Sequence, residues 1–262
     1  MSANTIRNKS LRVILSDNTS GSVEILNQLI DWLKTNSEAS ITEFIEAVRE
    51  SFPAFYSIIN FINDLETKVI FGNVSLQKFI ENYNNSLDER KKQLQVNAAR
   101  TLSPYKNIIT ISNSSTLQEC FVHLYSSSPA LKIFVSEGRP INEGQILAKN
   151  LLAFGINVEL ITEAMIGTVI TRVQAAVIGA DTILKNGDAI NKVGSRMLAV
   201  LCKHHNLPFF VVADRTKFAS ENNFQQLRKD PKEIWDTITS ITINNFYFER
   251  LEAKLITKII SD

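Results

Sequence analysis

Residues 175–195 read AAVIGADTILKNGDAINKVGS, and this stretch decides the fold class. Its first six residues form a short apolar run that ends on Asp181, which is typical of a buried strand in a parallel sheet. An Asn-Gly turn signal follows, and residues 188–205 then have a helical pattern that begins on Asp188, a good N-cap. A buried strand followed by a helix predicts one unit of a sheet covered by helices.

The same alternation of short apolar runs and helical segments extends over residues 104–262. The predicted strands are 107–112 (NIITIS), 131–136 (LKIFVS), 157–162 (NVELIT), 175–180 (AAVIGA) and 208–213 (PFFVVA). The predicted helices between them are 116–125, 143–154, a short piece from Glu163, and 188–205, and residues 245–260 are predicted to form a last strand and helix. Such alternation indicates a parallel sheet with right-handed crossovers.

The first hundred residues have a different pattern, in which apolar side chains recur at helical spacing. Helices are predicted at 22–34, 41–48, 54–65 and 75–99. We therefore predict an α/β protein with two domains. Residues 1–103 form a helical N-terminal domain, and residues 104–262 form a Rossmann-like, mostly parallel, doubly wound sheet domain.

Composition excludes several classes of protein. The chain has 262 residues, 44% of them hydrophobic and 21% charged, with a net charge of +1, so a surface for direct nucleic-acid binding is not predicted. Residues 1–10 lack the apolar core of a secretion signal, and no apolar run approaches the roughly 20 residues of a membrane helix. Cys120 and Cys202 are far apart and are interpreted as reduced thiols, which indicates a cytoplasmic protein. Without spaced metal ligands, no metal and no cofactor is predicted.

Ligands of doubly wound sheets bind beyond the carboxyl ends of the strands, and polar residues follow three of the predicted strands. Residues 112–116 (SNSST) can expose the N–H groups of a helix N-terminus to an anion, or can form a plain N-cap and turn. In residues 136–144 (SEGRPINEG), Arg139 beside Glu137 can clamp a phosphate, and Gly144 permits a close approach. The alternative for this second loop is a surface ion pair.

The third strand end is the stretch from Asp181 to Lys192. Asp188 is interpreted as a structural cap, whereas Asp181 can cap, pair with a neighbour or react. Asn191 and Lys192 are predicted to lie in the first or second turn of the following helix. Because the helix dipole disfavours a lysine there unless an anion is close, Lys192 is a candidate phosphate contact.

Taken together, these strings resemble the family that contains the alpha, beta and delta subunits of initiation factor 2B, methylthioribose-1-phosphate isomerase and ribose-1,5-bisphosphate isomerase. The matching pieces are IITISNSS (108–115), SEGRPINEGQILAKNLLAFGINVELITEAM (136–165), VIGADTILKNGDAINKVGS (177–195) and PFFVVADRTKF (208–218). The tail at 245–260 also fits, although the proline that usually precedes its last helix is absent.

The resemblance implies roles for several residues. In the isomerases of this family the aspartate at the position of Asp181 is catalytic, the Asn191-Lys192 pair belongs to the substrate pocket, and Arg139 faces substrate. The family also implies dimers or larger assemblies built through the C-terminal half. The full set of predicted ligand contacts is Ser112, Asn113, Ser114, Arg139, Gly144, Asp181, Asn191 and Lys192.

Two departures from the isomerases decide the predicted function. Ser112 occupies the position of their catalytic cysteine, and an alcohol is several pKa units less acidic than a thiol, whose usual pKa is near ~8.5. Cys120 lies about two helical turns further on and does not easily replace it. The isomerases also have an Arg-Gly-Ala string in the N-terminal region that helps to hold phosphate. This string is absent here, and residues 15–22 resemble the start of a helix instead.

We therefore expect an initiation-factor-2B-like protein without catalytic activity that binds a phosphorylated sugar or nucleotide. It would act through protein–protein contacts in translation initiation, with a subunit of initiation factor 2 among the candidate partners. The alternative is a sugar-phosphate aldose–ketose isomerase. In that case Asp181 moves the proton while Arg139 and Lys192 hold the phosphate.

Overall fold

Helices with apolar stripes form the N-terminal part of the protein in this computed structural model, which describes residues 11–17, 20–236 and 240–262. Residues 1–10, on which the prediction of no secretion signal rests, lie outside the described residues. The helices are α1 (Leu11–Leu15), α2 (Ser22–Thr35), α3 (Ile41–Ser51), α4 (Tyr56–Leu65), which continues as a π-helical turn over Glu66–Ile70, and α5 (Leu76–Leu102). The helical pattern of the first hundred residues is thus confirmed.

Serine side chains begin two of these helices. Ser40 accepts a hydrogen bond from the Glu43 N–H at 3.3 Å, and Ser75 accepts one from the Lys78 N–H at 3.3 Å. Each bond satisfies a backbone donor that has no partner inside its own helix. These caps fix where α3 and α5 start.

Helix α5 belongs to two hydrophobic cores. Near its start, Phe79 and Ile80 pack among the N-terminal helices, and towards its end Leu94, Ala98 and Leu102 pack against the sheet described next. One continuous helix of 27 residues therefore connects both parts of the chain.

The C-terminal part is built on strands in two sheets. The strands are β1 (Asn107–Thr110), β2 (Lys132–Ser136), β3 (Asn157–Ile161), β4 (Ala175–Gly179), β5 (Thr182–Ile183), β6 (Ala189–Lys192), β7 (Phe209–Val212), β8 (Phe248–Leu251) and β9 (Lys258–Ile260). Within the described residues, the main sheet has the order β3-β2-β1-β4-β7-β9, and all its neighbours are parallel. Strands β5, β6 and β8 form a small antiparallel sheet.

Helices cover both faces of the main sheet. They are α6 (Ser115–Ser127), α7 (Glu143–Ala153), α8 (Ile166–Val169) and α9 (Ser195–His204). Side chains alternate along each strand, so Ile108 enters the core beneath α5, α6 and α7, whereas Ile109 enters the core beneath α8 and α9. The predicted α/β class with a mostly parallel, doubly wound sheet is confirmed.

The strand order reverses between β1 and β4. From β1 the chain moves outward to β2 and β3, and from β4 it moves the other way to β7 and β9. The loops after these two central strands therefore separate and leave a crevice, which is where such sheets bind ligands. A Cβ atom on Gly179 would lie 2.7 Å from Ser114 Oγ, so glycine lets the end of β4 contact the start of α6.

The prediction of a helix over residues 188–205 was wrong in its first half. Asn191 and Lys192 lie on β6, which pairs with β5 and β8, and α9 starts only at Ser195. Gly194 has φ +105°, a conformation outside the right-handed helix, so it separates the strand from the helix. The helix-dipole argument for Lys192 therefore does not apply.

The prediction of a last helix over LITKII was also wrong. The segment forms a 3-10 turn, Ala253–Leu255, followed by β9, which pairs with β7. Ile259 and Ile260 enter the cores on opposite faces of the sheet, the alternation of a strand. No helix in the described ranges is long and apolar enough to cross a bilayer.

Gly144 is the position where the fold depends most directly on a missing side chain. A Cβ atom there would collide with the carbonyl oxygen of Ser136, a backbone atom at the end of β2. We expect Gly144→Ala to lower the free energy of unfolding by about 3 kcal/mol, because the backbone of β2 or α7 must shift. Urea unfolding followed by circular dichroism measures this change.

The matched control is Gly167→Ala in α8, where an added methyl group meets no described heavy atom within 4 Å. This control should leave stability within about 1 kcal/mol of wild type, since alanine favours the helix. Equal stability of the two variants would contradict the close contact between α7 and β2.

Candidate functional site

A cavity of about 740 Å³ opens at the reversal of strand order. The loop after β1 (residues 112–116) and the end of β4 with Asp181 form its floor. Its walls come from the start of α2, the segment before α4 (residues 51–55), strand β6 and residues of the long connection between β7 and β8. Helices of the N-terminal region thus complete a site whose floor belongs to the sheet.

Ser112 lies on the floor in an unusual backbone conformation. Its φ is +67°, in the left-handed region that costs a residue with a side chain about 1–2 kcal/mol. The residue is 8% exposed, and none of the described residues forms a hydrogen bond with its hydroxyl group. Strained residues with open polar groups occur often at ligand sites.

The start of α6 also borders the cavity. The Ser114 hydroxyl accepts a hydrogen bond from the Leu117 N–H at 3.2 Å and therefore serves as the N-cap. Ser115 and Thr116 line the cavity, and the first turn of α6 contains no acidic residue. The N-cap reading of residues 112–116 is thus confirmed, whereas anion binding by this helix N-terminus stays a prediction.

Asp181 follows β4 and meets the N-terminal region. Its Oδ1 accepts a hydrogen bond from Ser22 Oγ, the first residue of α2, at 3.4 Å. Burial raises the pKa of the Asp181 carboxyl group above its usual value, and the charges of Lys217 and Lys192 and the Ser22 hydrogen bond partly oppose this rise. The carboxyl group is therefore easier to protonate than an ordinary aspartate.

Lys192 is held against two aromatic rings. Its Nζ lies 4.3 Å from the ring centroid of Tyr247 and 5.1 Å from that of Phe248. Glu143 Oε1 is 3.6 Å from the same ammonium group. Its neighbour Asn191 donates to Ser195 Oγ at 2.9 Å, so that amide helps to join β6 to α9 while its residue lines the cavity.

Two of the predicted contacts lie outside the lining of the main cavity. Arg139 is exposed and borders a small adjoining cavity of about 20 Å³, with its Nη2 3.4 Å from the carbonyl oxygen of Ile234. Gly144 is buried, and its lack of a side chain serves the contact with Ser136. The main cavity is lined by the other predicted contacts, which are Ser112, Asn113, Ser114, Asp181, Asn191 and Lys192.

Asp188 is structural, but it caps a different element from the one predicted. Its carboxylate accepts hydrogen bonds from the Ala253 N–H at 2.8 Å and from Arg250 Nε at 2.6 Å. The expectation that it begins a helix was wrong, because residues 189–192 pair as a strand. Burial alone would raise the pKa of Asp188, yet these hydrogen bonds and the one from Asn186 lower it overall.

The cavity residues that sequence reasoning missed include three with polar or aromatic groups close to predicted contacts. Lys217 is 4% exposed, and its Nζ donates to the carbonyl oxygen of Ala180 at 2.8 Å. Lys229 and Tyr247 face Lys192, with Lys229 Nζ 5.2 Å from the Tyr247 ring centroid. Lys217 lies in the string PFFVVADRTKF and Tyr247 in the tail at 245–260, so both could have been found there, whereas Lys229 lies in no such string.

Among the described residues, no group of three or more histidine, cysteine, aspartate or glutamate side chains is arranged to hold a metal ion. The polar groups that face the cavity are hydroxyl, amide, ammonium and carboxylate groups. Such a set suits a polar organic ligand.

Comparison with known proteins gives the family. The Initiation factor 2 subunit family matches residues 8–262. The chain belongs to this family. Among curated relatives, a translation initiation factor eIF-2B subunit 2-like protein of Pyrococcus furiosus is 29% identical over 244 residues, which cover 91% of this chain and 84% of that protein.

A second curated relative is named as an enzyme. Methylthioribose-1-phosphate isomerase of Rhodopirellula baltica is 30% identical over 201 residues, which cover 67% of this chain. The match spans 56% of the length of that isomerase. The relatives of this chain thus include both initiation-factor-like proteins and isomerases.

Solved structures have the same fold. The translation initiation factor eIF-2B of Pyrococcus horikoshii matches with a TM-score of 0.84 and 25% identity, covering 96% of this chain and 93% of that one. A chain of the tetrameric eIF2B-beta2-delta2 complex from C. thermophilum matches with a TM-score of 0.78 and 16% identity, covering 97% and 91%. The second likeness concerns the fold alone.

The two aspartates of the string GADTILKNGD should affect stability in opposite directions. The folded-state pKa of Asp181 is raised, so its contribution to stability falls as the pH rises through that pKa. Asp181→Asn should therefore stabilise the protein at pH 7 relative to wild type, and this gain should shrink towards pH 4. Chemical unfolding of both proteins over this pH range measures the difference.

Asp188→Asn is the comparison. The folded-state pKa of Asp188 is lowered, so its contribution is present at neutral pH and is lost as the pH falls through that pKa. The variant should lose about 2 kcal/mol at pH 7, since the Arg250 and Ala253 donors lose a charged acceptor. A loss of stability at pH 7 in Asp181→Asn would contradict the burial cost assigned to that carboxylate.

Proposed function

We propose that the protein is a non-catalytic member of its family that binds a phosphorylated sugar or nucleotide in the cavity. The protein would act in translation initiation through protein–protein contacts. This proposal is carried by one observation. Ser112 lines the cavity floor, and the isomerases that this chain resembles have a cysteine thiol at that position. An alcohol exchanges a proton poorly near neutral pH.

Neither cysteine supplies the missing thiol. Cys120 is buried in α6 and Cys202 in α9, in the cores on opposite faces of the sheet. Burial raises the pKa of each thiol to about 12, so both stay protonated and unreactive near neutral pH. Neither residue lines the cavity.

The remaining groups support binding of an anion. The start of α6, whose first turn contains no acidic residue, borders the cavity, and Lys192 and Lys217 add ammonium groups. Lys192 stays partly accessible, since its side chain is 19% exposed. A phosphate between a helix N-terminus and a lysine gains both hydrogen bonds and charge attraction.

A ligand of this kind should stabilise the folded protein. Saturation at about 100 times Kd adds ~2.7 kcal/mol to stability, which raises Tm by about 5 °C or more for a chain of this length. We expect this shift in a thermal-denaturation screen of sugar phosphates and nucleoside monophosphates. Lys192→Ala should abolish most of it, whereas the control Lys203→Ala, an exposed lysine of α9 outside the cavity, should retain it.

The absence of catalysis is tested separately with the purified protein. Ribose 1,5-bisphosphate and methylthioribose 1-phosphate should remain aldoses after incubation, as measured by separation of substrate from the ketose product. Robust conversion would exclude the non-catalytic proposal. A screen without any Tm shift would exclude the binding function.

One observation favours the isomerase as a second candidate. The carboxyl group of Asp181 has a raised pKa at the cavity floor, which suits a group that gives and takes a proton. In this case Asp181 moves the proton while Lys192 holds the phosphate. Asp181→Asn should then abolish turnover but preserve the ligand-induced Tm shift. Isomerase activity in this variant would show that Asp181 is not the catalytic residue.

We further propose that the protein forms a homodimer or larger assembly through its C-terminal half and contacts a subunit of initiation factor 2. Support comes from the family and from its tetrameric structural neighbour. Sedimentation equilibrium should give at least twice the mass of one chain. A monomer at micromolar concentration would contradict this part of the proposal.

A further inference from the structure

Aromatic rings follow one another along the lining of the cavity, starting beside Lys192. The Lys192 ammonium group lies 5.1 Å from the ring centroid of Phe248. The ring centroids of Phe248 and Phe55 are 5.9 Å apart, and those of Phe55 and Phe52 are 6.2 Å apart. All four residues line the cavity. The three phenylalanines therefore form an aromatic strip that leads away from the lysine.

Two rings of the aromatic strip are not packed like the phenylalanines of the core. Phe55 and Phe248 are partly exposed, whereas Phe61 and Phe121 in the cores are 0% exposed. Each Å² of apolar surface that stays in contact with water forgoes about 25 cal/mol of stabilisation. A ligand that covers these two rings therefore gains affinity from their burial.

The orientation of the two rings suits a flat ligand group. Phe55 packs against the core of the N-terminal helices, whereas Phe248 packs against a small cluster in the C-terminal part. The planes of the two rings are at 86° to each other. A planar ring that stacks on one of them therefore meets the other edge to face, and both arrangements are favourable between aromatic groups.

The cavity has room for more than a sugar phosphate. Its volume of about 740 Å³ falls within the roughly 300–1,000 Å³ of sites that enclose drug-sized ligands. A pentose phosphate is smaller than such ligands and has no apolar group to cover the rings. Residues 51–55 (SFPAF) contain no charged side chain, so this end of the aromatic strip offers contacts to an apolar group rather than to an anion.

We propose that the aromatic strip is a subsite for a nucleobase, so that the ligand of the cavity is a nucleotide and not a simple sugar phosphate. The base stacks on Phe55 or Phe248, and the phosphate lies at Lys192. A nucleotide suits both contacts because its base and its phosphate are attached to different carbons of one ribose. This inference rests on the proposed binding function and decides between the two classes of ligand named there.

Isothermal titration of the full chain compares ribose 5-phosphate with the 5′-monophosphates of adenosine, guanosine, cytidine and uridine. Each nucleotide adds one base to the same sugar phosphate. We expect at least one of them to bind about 10-fold more tightly than ribose 5-phosphate, because stacking of a base on an aromatic side chain contributes a factor of this size.

Phe55→Leu tests the ring itself, because leucine keeps an apolar side chain but removes the flat surface. The variant should lose about 5-fold more affinity for that nucleotide than for ribose 5-phosphate. Circular dichroism shows whether the variant is folded. The matched control is Phe71→Leu, which changes an exposed phenylalanine outside the cavity and should leave both affinities unchanged.

Several results would overturn the inference, and one of them also overturns the proposed function. Ribose 5-phosphate that binds as tightly as every nucleotide removes the inference but keeps the binding function. A nucleotide affinity that Phe55→Leu leaves unchanged, or lowers equally with that for ribose 5-phosphate, shows that the strip does not hold the base. Tighter binding of methylthioribose 1-phosphate than of every nucleotide assigns the strip to an aliphatic group. If no sugar phosphate and no nucleotide binds, the inference and the binding function are both wrong.

Discussion

The close contact between the end of β4 and the start of α6 is the constraint on which the site depends. Gly179 has no side chain, so Ser114 can lie against β4 and cap α6 at the reversal of strand order. This contact sets the helix N-terminus beside Asp181 at the cavity floor. Because parallel strands require crossover connections, the two loops at this point run apart and leave the space that a ligand can occupy.

The N-terminal helices complete the site and are tied to the sheet in several ways. Helix α5 contributes to both cores, and Ser22 of α2 reaches Asp181 across 159 residues of sequence. Asn60 of α4 donates hydrogen bonds to the carbonyl oxygens of Thr216 and Phe218. The charged lining of the cavity is therefore shared between the two parts of the chain, with Asp17 and Glu24 from the N-terminal part and both carboxylates and lysines from the C-terminal part.

Much of the fold could be predicted because its signals are local. Apolar runs such as NIITIS and LKIFVS are short, buried on both sides and separated by helical periodicity, so β1 and β2 were found within two residues. The two errors have different causes. Strand β6 forms a short hairpin with β5 across Asn186-Gly187, a turn that was interpreted as the entry to a helix. Strand β9 is specified by pairing with β7, which lies 46 or more residues away and leaves no local pattern.

By itself, the sequence determined the α/β class, the strand ends that carry polar residues, and the serine in place of the thiol, since each depends on residues adjacent in the chain. Only the tertiary structure decided which of these residues meet. In the folded protein, Lys192 and Lys229 both lie over the ring of Tyr247, and Arg139 borders a smaller cavity. Asp188 accepts a hydrogen bond from the turn at Ala253. Such contacts arise from strand pairing and helix packing over long separations, which the identity of neighbouring residues does not encode.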